Sequence, residues 1–412
     1  MTSYENTNAR PFVASAPPAG APPAARILFA LLARLARGEL LLVDPDGRAH
    51  RFGKGHDDAG RGEFRFRDWR LGRAILTGGD VAFAEAWIDG RWDTPDLPAL
   101  MTVLAHNQPT LERAFYGHAW QRALFRFKHW LNANSRRKAK RNIVAHYDLG
   151  NDFYRLWLDP TMTYSSALFD GDYSQPLAAA QHAKYRRILA ELALPPGAHI
   201  LEIGCGWGGF AEVAARAGYR VTGLSLSDAQ TAYARERIAR AGLADRVTLR
   251  VQDYRDERGT YDGVASIEMF EAVGEKYWPT FFESVRDRLA PGGCAGLQVI
   301  TIPDWDWESY RHQIDFTQKY VFPGGIVPSL GVFRAVAERE GLGVAEPHFF
   351  GQDYARTLAE WLGNFDGVSD SVTELGFDER FRRMWRYYLA WCNAGFASSY
   401  IDVMQVGLEP GR

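Results

Sequence analysis

Few cysteines and no long apolar runs limit what this chain can be. Its 412 residues include three cysteines, Cys205, Cys294 and Cys392, which are far apart. Their spacing fits neither a metal site nor a disulfide framework, so no metal is expected and a reducing, cytoplasmic compartment fits best. No stretch of eighteen apolar residues occurs, and we predict no membrane-spanning helix. The N-terminal segment lacks the apolar core of a signal peptide.

A strong excess of charge of either sign is also absent. The formal net charge is −2 at pH 7, which argues against a nucleic-acid-binding protein on charge alone. The apolar content of 46% is ordinary for a globular protein. At roughly 150 residues per domain, the length allows two or three domains.

The composition and the hydrophobic pattern of the N-terminal third change several times along the chain. Residues 1–25 are rich in Pro, Ala and Gly and predict a disordered leader. In residues 26–37 the apolar side chains share one helical face, which is typical of a helix packed on its own domain or of an interfacial helix at anionic lipid. Two apolar runs around Asp46-Gly47 predict a β-hairpin. We expect an N-terminal domain over residues 26–120.

The segment 121–145 is basic and aromatic. Its composition fits a solvated linker helix, and it also fits contact with a membrane or a partner, so both interpretations stay open. From residue 195 onwards, strand-like and helical patterns alternate. This alternation predicts an α/β domain with a parallel, doubly wound sheet, here taken as residues 146–412. A segment rich in Trp, Tyr, Phe and Pro, residues 303–330, interrupts the alternation.

The glycine-rich loop EIGCGWGGF lies between a predicted strand and a predicted helix. Gly204, Gly206 and Gly209 satisfy the dinucleotide-binding pattern, so an NAD-dependent oxidoreductase must be considered. Asp228 stands some twenty residues on, where a ribose-binding acid would be expected. It follows Ser227 at a predicted helix start, however, where Asp is favoured for helical reasons alone.

Other acids around the loop favour S-adenosylmethionine. Glu202 precedes the loop, and Gly208 supplies a further glycine, which gives E-x-G-x-G-x-G. An acid there can help to orient acceptors for the ammonium group of the cofactor. The third predicted strand ends in Asp253-Tyr254, where an acid can accept from an adenine amine and an aromatic ring can stack. Strand ends are where such folds bind ligands.

Eight segments in one order resemble the cyclopropane-fatty-acyl-phospholipid synthases and the related mycolic acid methyltransferases. They are EAWIDGRW, HYDLGNDFYRLWLDPTMTYSSALF, EIGCGWGGF, LSLSDAQ, QDYRD, EMFEAVGEKYW, KYVFPGG and FGQDYARTLAEW. The resemblance implies a seven-stranded class I methyltransferase domain, preceded by a smaller α+β lipid-binding domain. The implied cofactor is S-adenosyl-L-methionine, with binding residues Tyr164, Ser165, Glu202, Gly204, Gly206, Gly208, Ser225, Leu226, Gln230, Asp253 and Tyr254.

The resemblance also implies a reaction. A cis double bond of an acyl chain attacks the sulfonium methyl, and a base then removes a proton from the resulting carbocation. Loss from the new methyl group closes a cyclopropane, whereas loss elsewhere leaves a methyl- or methylene-branched chain. In the family the base is a bound bicarbonate. The matching positions here include Glu271, Tyr354 and Ile302.

Two positions depart from that family pattern. Ser166 stands where the family has Cys, and Ile300 stands where it has His. Gln298 shares a strand face with residue 300 by period-two alternation, so it is either a replacement donor or a structural hydrogen-bonding residue. The catalytic candidates are therefore Glu271, Tyr354, Ser166, Gln298 and Ile302. The departures leave open whether bicarbonate binds and whether a ring closes.

The expected function is methyl or methylene transfer to the cis double bond of an unsaturated phospholipid acyl chain. The alternatives are an NAD-dependent oxidoreductase and a catalytically impaired lipid-binding homologue. The expected partner is membrane phospholipid, met peripherally at the inner face of the cytoplasmic membrane, and a homodimer is left open. The rings of Phe153, Tyr154 and Trp157 are expected to cover the cofactor side and to border an acyl channel.

Overall fold

The computed structural model describes residues 16–55, 57–115 and 149–411, and their contacts divide the chain into two units. Unit 1 holds the described residues up to 115 together with Glu379–Ser398; unit 2 holds the remainder. The predicted division placed residues 379–398 in the second domain. Their helix belongs to unit 1 because it packs against the helices Arg70–Ile88 and Leu97–His106. The predicted linker over residues 121–145 lies outside the described residues.

Unit 1 is built on a small mixed sheet. The predicted hairpin around Asp46-Gly47 is confirmed, because the strands on either side of it pair antiparallel. The strands are β1 (Glu39–Val43), β2 (Ala49–Gly53), β3 (Arg61–Phe66) and β4 (Trp92–Asp93), in the order β2-β1-β3-β4. The helices are Pro23–Leu32, Arg70–Ile88, Leu97–His106, Gln108–Phe115 and Glu379–Ala397.

The first helix packs into its own unit. It begins at Pro23, inside the predicted leader, because proline suits the first turn of a helix. Leu28, Phe29 and Leu32 are buried, and the Phe29 ring meets Phe52 edge-on at 5.4 Å. This burial supports a helix packed on its own domain over an interfacial helix. Across the described ranges, no helix combines the length and apolar character needed to cross a membrane.

Unit 2 contains the predicted doubly wound α/β sheet, which is confirmed, although its described strands number eight rather than the seven that the resemblance implied, because the short strand β11 also pairs with β12. Its strands follow the order β10-β12-β9-β8-β5-β6-β7, with β11 paired to β12. The neighbours from β9 through β7 run parallel, and β10, β11 and β12 pair antiparallel. The strands are β5 (His199–Ile203), β6 (Arg220–Ser225), β7 (Val247–Val251), β8 (Tyr261–Ile267), β9 (Leu289–Thr301), β10 (Leu342–Val344), β11 (His348–Phe349) and β12 (Asp402–Pro410).

Helices cover both faces of this sheet. Successive residues of a strand point to opposite faces, and Ile200 and Leu201 accordingly enter two different apolar clusters. The α-helices are Asn151–Trp157, Leu177–Leu192, Gly209–Arg216, Asp228–Arg240, Trp278–Arg288, Trp307–Tyr310, Phe316–Tyr320, Leu330–Arg339, Gly351–Gly367 and Ser369–Glu374. Short 3₁₀ turns span Tyr254–Asp256, Phe270–Ala272 and Glu275–Tyr277.

The aromatic segment 303–330 is mostly a packed cover. Trp307 and Phe316 are buried, whereas Trp305 is 64% exposed. Because β5 and β8 are parallel neighbours, the loops that follow them meet at one edge of the sheet. There a Cβ added to Gly204 would lie 2.8 Å from the Met269 side chain. This edge holds the candidate site.

Candidate active site

A cavity opens at the carboxyl ends of the parallel strands, where a doubly wound sheet binds its ligands. Every predicted cofactor residue except Gly208 lines it: Tyr164, Ser165, Glu202, Gly204, Gly206, Ser225, Leu226, Gln230, Asp253 and Tyr254. Gly208 precedes the helix Gly209–Arg216 with a φ of +82°. A Cβ there would lie 3.0 Å from the Ala234 Cβ. Gly208 therefore allows close packing beside the cavity rather than contact with its contents.

Glu202 brings an acceptor without a partner into this cavity. Its side chain is 4% exposed, and Oε2 has no hydrogen-bond partner among the described residues. Burial raises the pKa of Glu202 to about 8, although Arg237 acts in the opposite direction. A buried acceptor of this kind is stabilised by a cationic ligand. The site thus fits a ligand that carries an ammonium group.

Polar residues at the ends of β6 and β7 complete the cavity wall. Ser227 accepts the Gln230 N–H at 3.2 Å and caps the helix Asp228–Arg240. Asp228 lies in the first turn of that helix, which agrees with the helical interpretation of this acid. Asp253 accepts from the Arg255 Nε at 2.8 Å. Arg255 also lines the cavity, although it is not among the residues predicted from the sequence.

The aromatic segment after residue 150 supports the cavity from behind. Phe153, Tyr154 and Trp157 are fully buried, so the expectation that they cover the cofactor needs correction. Tyr154 and Trp157 pack against the Tyr164 ring at 5.4 and 5.7 Å, and Tyr164 lines the cavity. Large rings gain most from complete burial.

This segment is also tied to the glycine loop. The Trp207 Nε1 donates to the Asn151 Oδ1 at 2.8 Å, and Trp207 lines the cavity. This bond fixes the helix that begins at Asn151 against the glycine loop.

Glu268, which is not among the residues predicted from the sequence, is the centre of a buried polar cluster beside the cavity. Its Oε1 accepts from the Ser166 backbone N–H at 2.8 Å and from the Gln298 Nε2 at 2.7 Å. Its Oε2 accepts from the Tyr354 hydroxyl at 2.7 Å. Three of the five predicted catalytic residues therefore converge on this carboxyl group. Glu268 itself lines the cavity.

The backbone and the neighbouring amides hold Glu268 in place. Glu268 directly follows β8 and has a φ of +49°, a region that costs a residue with a Cβ roughly 1–2 kcal/mol. The Gln405 Nε2 donates to the Gln298 Oε1 at 2.9 Å. This bond turns the Gln298 amino group towards Glu268. A sequence signal existed, because Glu268 is an acid at the carboxyl end of a buried parallel strand.

Lys184 is a second functional candidate that was missed. It is fully buried in the helix Leu177–Leu192, and its ammonium group donates to the Ser165 hydroxyl. Burial lowers the pKa of Lys184 to about 7, and Glu268 and Asp159 act in the opposite direction. Lys184 falls in the buried helical stripe with Ala180 and Ile188, and a lysine at such a position is the signal that could have identified it.

The other two predicted catalytic residues are placed differently. The Glu271 Oε1 accepts the Ile300 N–H at 2.6 Å, while Oε2 has no partner among the described residues. Burial, and secondarily Glu268, raises the pKa of Glu271 to about 8. Ile302 lies beyond the end of β9, in the apolar core. Its N–H bonds to the Pro328 carbonyl at 3.0 Å, and it forms an isolated bridge with Ser329.

These contacts do not fit a separate bicarbonate. At the positions expected to hold it, the Ser166 hydroxyl and the Ile302 N–H already donate to the carbonyls of Ala167 and Pro328. The remaining donors there are the Ser166 N–H, the Gln298 amide and the Tyr354 hydroxyl. All three donate to the carboxylate of Glu268. The family histidine is absent, and Ile300 brings only its backbone N–H, to Glu271.

Comparisons with known proteins agree with this fold. The family model described as mycolic acid cyclopropane synthetase matches residues 134–406. The tuberculostearic acid methyltransferase of Mycobacterium tuberculosis is 40% identical over 351 residues, covering 83% of this chain and 82% of that protein. The cyclopropane-fatty-acyl-phospholipid synthase of Escherichia coli K12 is 34% identical over 349 residues, covering 82% and 85%.

A solved structure shows the same similarity. The crystal structure of a mycolic acid cyclopropane synthase complexed with SAH and CTAB has a TM-score of 0.62 and 31% identity. The match covers 65% of this chain and 97% of that one. The sheet order and the glycine loop thus define a class I S-adenosylmethionine-dependent methyltransferase fold. The chain belongs to the mycolic acid cyclopropane synthetase family, as its sequence motifs predicted.

Proposed function

We propose that this protein transfers the S-adenosylmethionine methyl group to the cis double bond of an unsaturated phospholipid acyl chain. The observation that carries the proposal is the buried carboxyl group of Glu268, which lines the cofactor cavity with its hydrogen-bond donors in place. Such a group is a proton acceptor, and an alkene that has accepted a methyl group must lose a proton. The acyl chain would reach the cavity from a membrane surface.

The cavity residues fit the cofactor of this class. When bound, S-adenosylmethionine supplies an electrophilic methyl group on a positively charged sulfonium. The Oε2 of Glu202 is available to accept from the cofactor ammonium. Asp253 and Tyr254 would meet the adenine, and Ser225 and Gln230 the ribose hydroxyls. In each case, a polar or aromatic side chain of the cavity wall is chemically complementary to the part of the cofactor that it would contact.

The protein also has a group that can stabilise the positive charge that the reaction creates on the acyl chain. The Tyr164 ring lines the cavity and can attract a nearby cation by about 0.5–2 kcal/mol. Loss of a methyl proton with closure onto the cationic carbon gives a cyclopropane. Loss from an adjacent chain carbon gives a methyl-branched alkene, and a hydride shift before methyl deprotonation gives an exocyclic methylene. All three outcomes begin with the same methyl transfer.

Lipid analysis tests the proposal directly. The full chain would be produced in a host whose phospholipids contain only cis-monounsaturated chains, and the extracted lipids examined by proton NMR. Upfield ring protons would identify a cyclopropane, and vinyl protons would identify an exocyclic methylene. Release of S-adenosylhomocysteine with phospholipid vesicles, but not with the matching free fatty acid, would support the phospholipid substrate. Unchanged lipid in both assays would refute the function.

One observation argues against each of the two alternative functions. An NAD-dependent oxidoreductase would use Asp228 on the ribose, but that residue lies in the first turn of its helix, after the Ser227 cap. A catalytically impaired homologue would be expected to have lost its buried polar groups. Instead, the cluster around Glu268 has hydrogen-bond donors on both carboxylate oxygens.

A further inference from the structure

We propose that the carboxylate of Glu268 is a base built into the chain, which removes the proton from the methylated acyl chain in place of bicarbonate. The inference rests on the proposed function and deepens it, because it assigns the proton acceptor of the same site. It concerns a residue that lies outside the predicted catalytic set. Bicarbonate is then not needed for turnover.

The hydrogen bonds at Glu268 are those of an anion. The Ser166 N–H and the Gln298 amide both donate to Oε1, and the Tyr354 hydroxyl donates to Oε2. Donors from three separate segments thus meet one carboxylate, and Gln405 fixes the Gln298 amide in the donating orientation. Hydrogen bonds to an ionised group are the strong ones. Oε1 has two donors, while Oε2 has one protein donor and can receive a proton on its remaining lone pair.

Nearby charge also favours the ionised form. Burial raises the pKa of Glu268 above its usual value, and the charge of Lys184 and the hydrogen bonds from Tyr354, Ser166 and Gln298 offset part of that rise. Lys184 supplies the positive charge that acts on Glu268, and its side chain is completely buried. A buried carboxylate with a nearby cation and three donors is tolerated where an isolated one would not be.

Position and backbone strain single out Glu268 over Glu271. Glu268 lines the cavity, as do Ala272 and Val273 beyond it, whereas Glu271 is not part of that lining. The Glu271 carboxyl group instead bonds to the Ile300 backbone. Glu268 also has a φ of +49°, and a side chain kept in this region at a ligand cavity suggests a functional constraint.

The proton balance of the step is simple. The alkene electron pair forms the new carbon–carbon bond to the methyl group as the carbon–sulfur bond breaks, which leaves a neutral thioether and a cationic acyl chain. The Glu268 Oε2 then takes a proton from the chain. The electron pair of the broken C–H bond forms the ring bond or the new double bond. Glu268 ends neutral and later returns its proton to solvent.

The test uses the full chain with cis-monounsaturated phospholipid vesicles, and S-adenosylhomocysteine and lipid product are both measured. One buffer is freed of carbon dioxide and the other contains added bicarbonate. We expect the wild type to work at equal rates in both. Glu268→Gly should lose roughly 10²-fold or more of the rate, as expected for loss of a general base. Because glycine accepts the positive φ and leaves space, added bicarbonate or formate should restore part of the rate.

Asp170→Gly is the matched control. Asp170 is an exposed acid with a φ of +53°, so the change relieves backbone strain without touching the cavity, and the rate should stay at the wild-type level. Calorimetry with S-adenosylhomocysteine verifies that Glu268→Gly is folded. A wild type that needs bicarbonate, or a Glu268→Gly variant that keeps its rate, overturns the proposal. A wild type without turnover in either buffer refutes the proposed function, and the inference with it.

Discussion

At the scale of single residues, Tyr354 shows how a neighbour sets the strength of the proposed base. Its hydroxyl donates to the Glu268 Oε2 at 2.7 Å and lowers the pKa of a carboxyl group that burial has raised. Tyr354 itself is only 7% exposed, so water would not easily replace the lost donor. Its effect should therefore appear in the pH dependence of the reaction.

Replacing Tyr354 by Phe should move the acidic limb of the pH–rate profile to higher pH. Without the hydroxyl the ionised form of Glu268 loses a donor, so its pKa rises and the base is protonated over a wider range. A hydrogen bond to a charged group contributes about 1.5–3 kcal/mol, which corresponds to a rate loss of roughly 10- to 100-fold below the limb. The measurement is S-adenosylhomocysteine release against pH.

Tyr219→Phe serves as the control for this change. The Tyr219 hydroxyl donates to the Leu194 carbonyl at 3.1 Å, outside the residues that line the cavity. Loss of the Tyr219 hydroxyl should leave the pH–rate profile unchanged. An unshifted limb in the Tyr354 variant would mean that the hydroxyl does not act on the titrating base.

At the scale of elements, the glycine loop joins β5 to the helix Gly209–Arg216 and serves two purposes. Gly206 has a φ of +48°, and no atom lies within 4 Å of where its Cβ would be. Gly208 also has a positive φ, but a Cβ there would lie 3.0 Å from Ala234 in the next helix. Gly206 needs glycine for its backbone conformation, and Gly208 needs it for helix packing as well.

We therefore expect Gly208→Ala to destabilise the protein more than Gly206→Ala. Both substitutions incur the left-handed cost of roughly 1–2 kcal/mol. Gly208→Ala adds an overlap with Ala234, and overpacking typically costs about 1–3 kcal/mol. Urea unfolding of the two variants measures the difference. Equal losses would show that the helix adjusts to the extra methyl group.

At the scale of the whole molecule, several buried titratable groups make stability depend on pH. Burial raises the pKa values of Glu202 and Glu271 to about 8 and lowers that of Lys184 to about 7. An acid whose pKa is raised by folding contributes its full stabilisation at pH values below its pKa in the unfolded chain. This contribution is lost as the pH rises through its pKa in the folded protein. Between pH 5 and 6, Lys184 stays charged in both states and contributes little slope.

The substitution Glu271→Gln isolates one of these contributions. Between pH 5 and 7 the folded wild type keeps a proton on Glu271 that the unfolded chain has lost, so wild-type stability from this group falls as pH rises. The variant has no such proton. Its unfolding free energy relative to wild type should increase by up to about 1.4 kcal/mol per pH unit, as measured by urea denaturation. A constant difference would mean that Glu271 is ionised in the folded protein.

The sequence by itself determined the fold class, the hairpin in unit 1 and the family. These follow from local information: the alternation of strands and helices, the turn at Asp46-Gly47 and motifs of contiguous residues. It also selected the residues of the cavity wall, because loops that follow parallel strands meet at one edge of the sheet. The roles of those residues remain predictions.

Only the tertiary structure decided which acid meets the donors of the predicted catalytic set. Glu268 and Glu271 are three residues apart, and the motif match favoured Glu271. The choice depends on Ser166, Gln298 and Tyr354, which come from a loop, a strand and a helix far apart in the chain. Likewise, helical periodicity showed that the first helix has an apolar face, but only packing showed that unit 1 buries it. Local patterns reveal faces and strand ends, whereas long-range packing decides what those faces and ends contact.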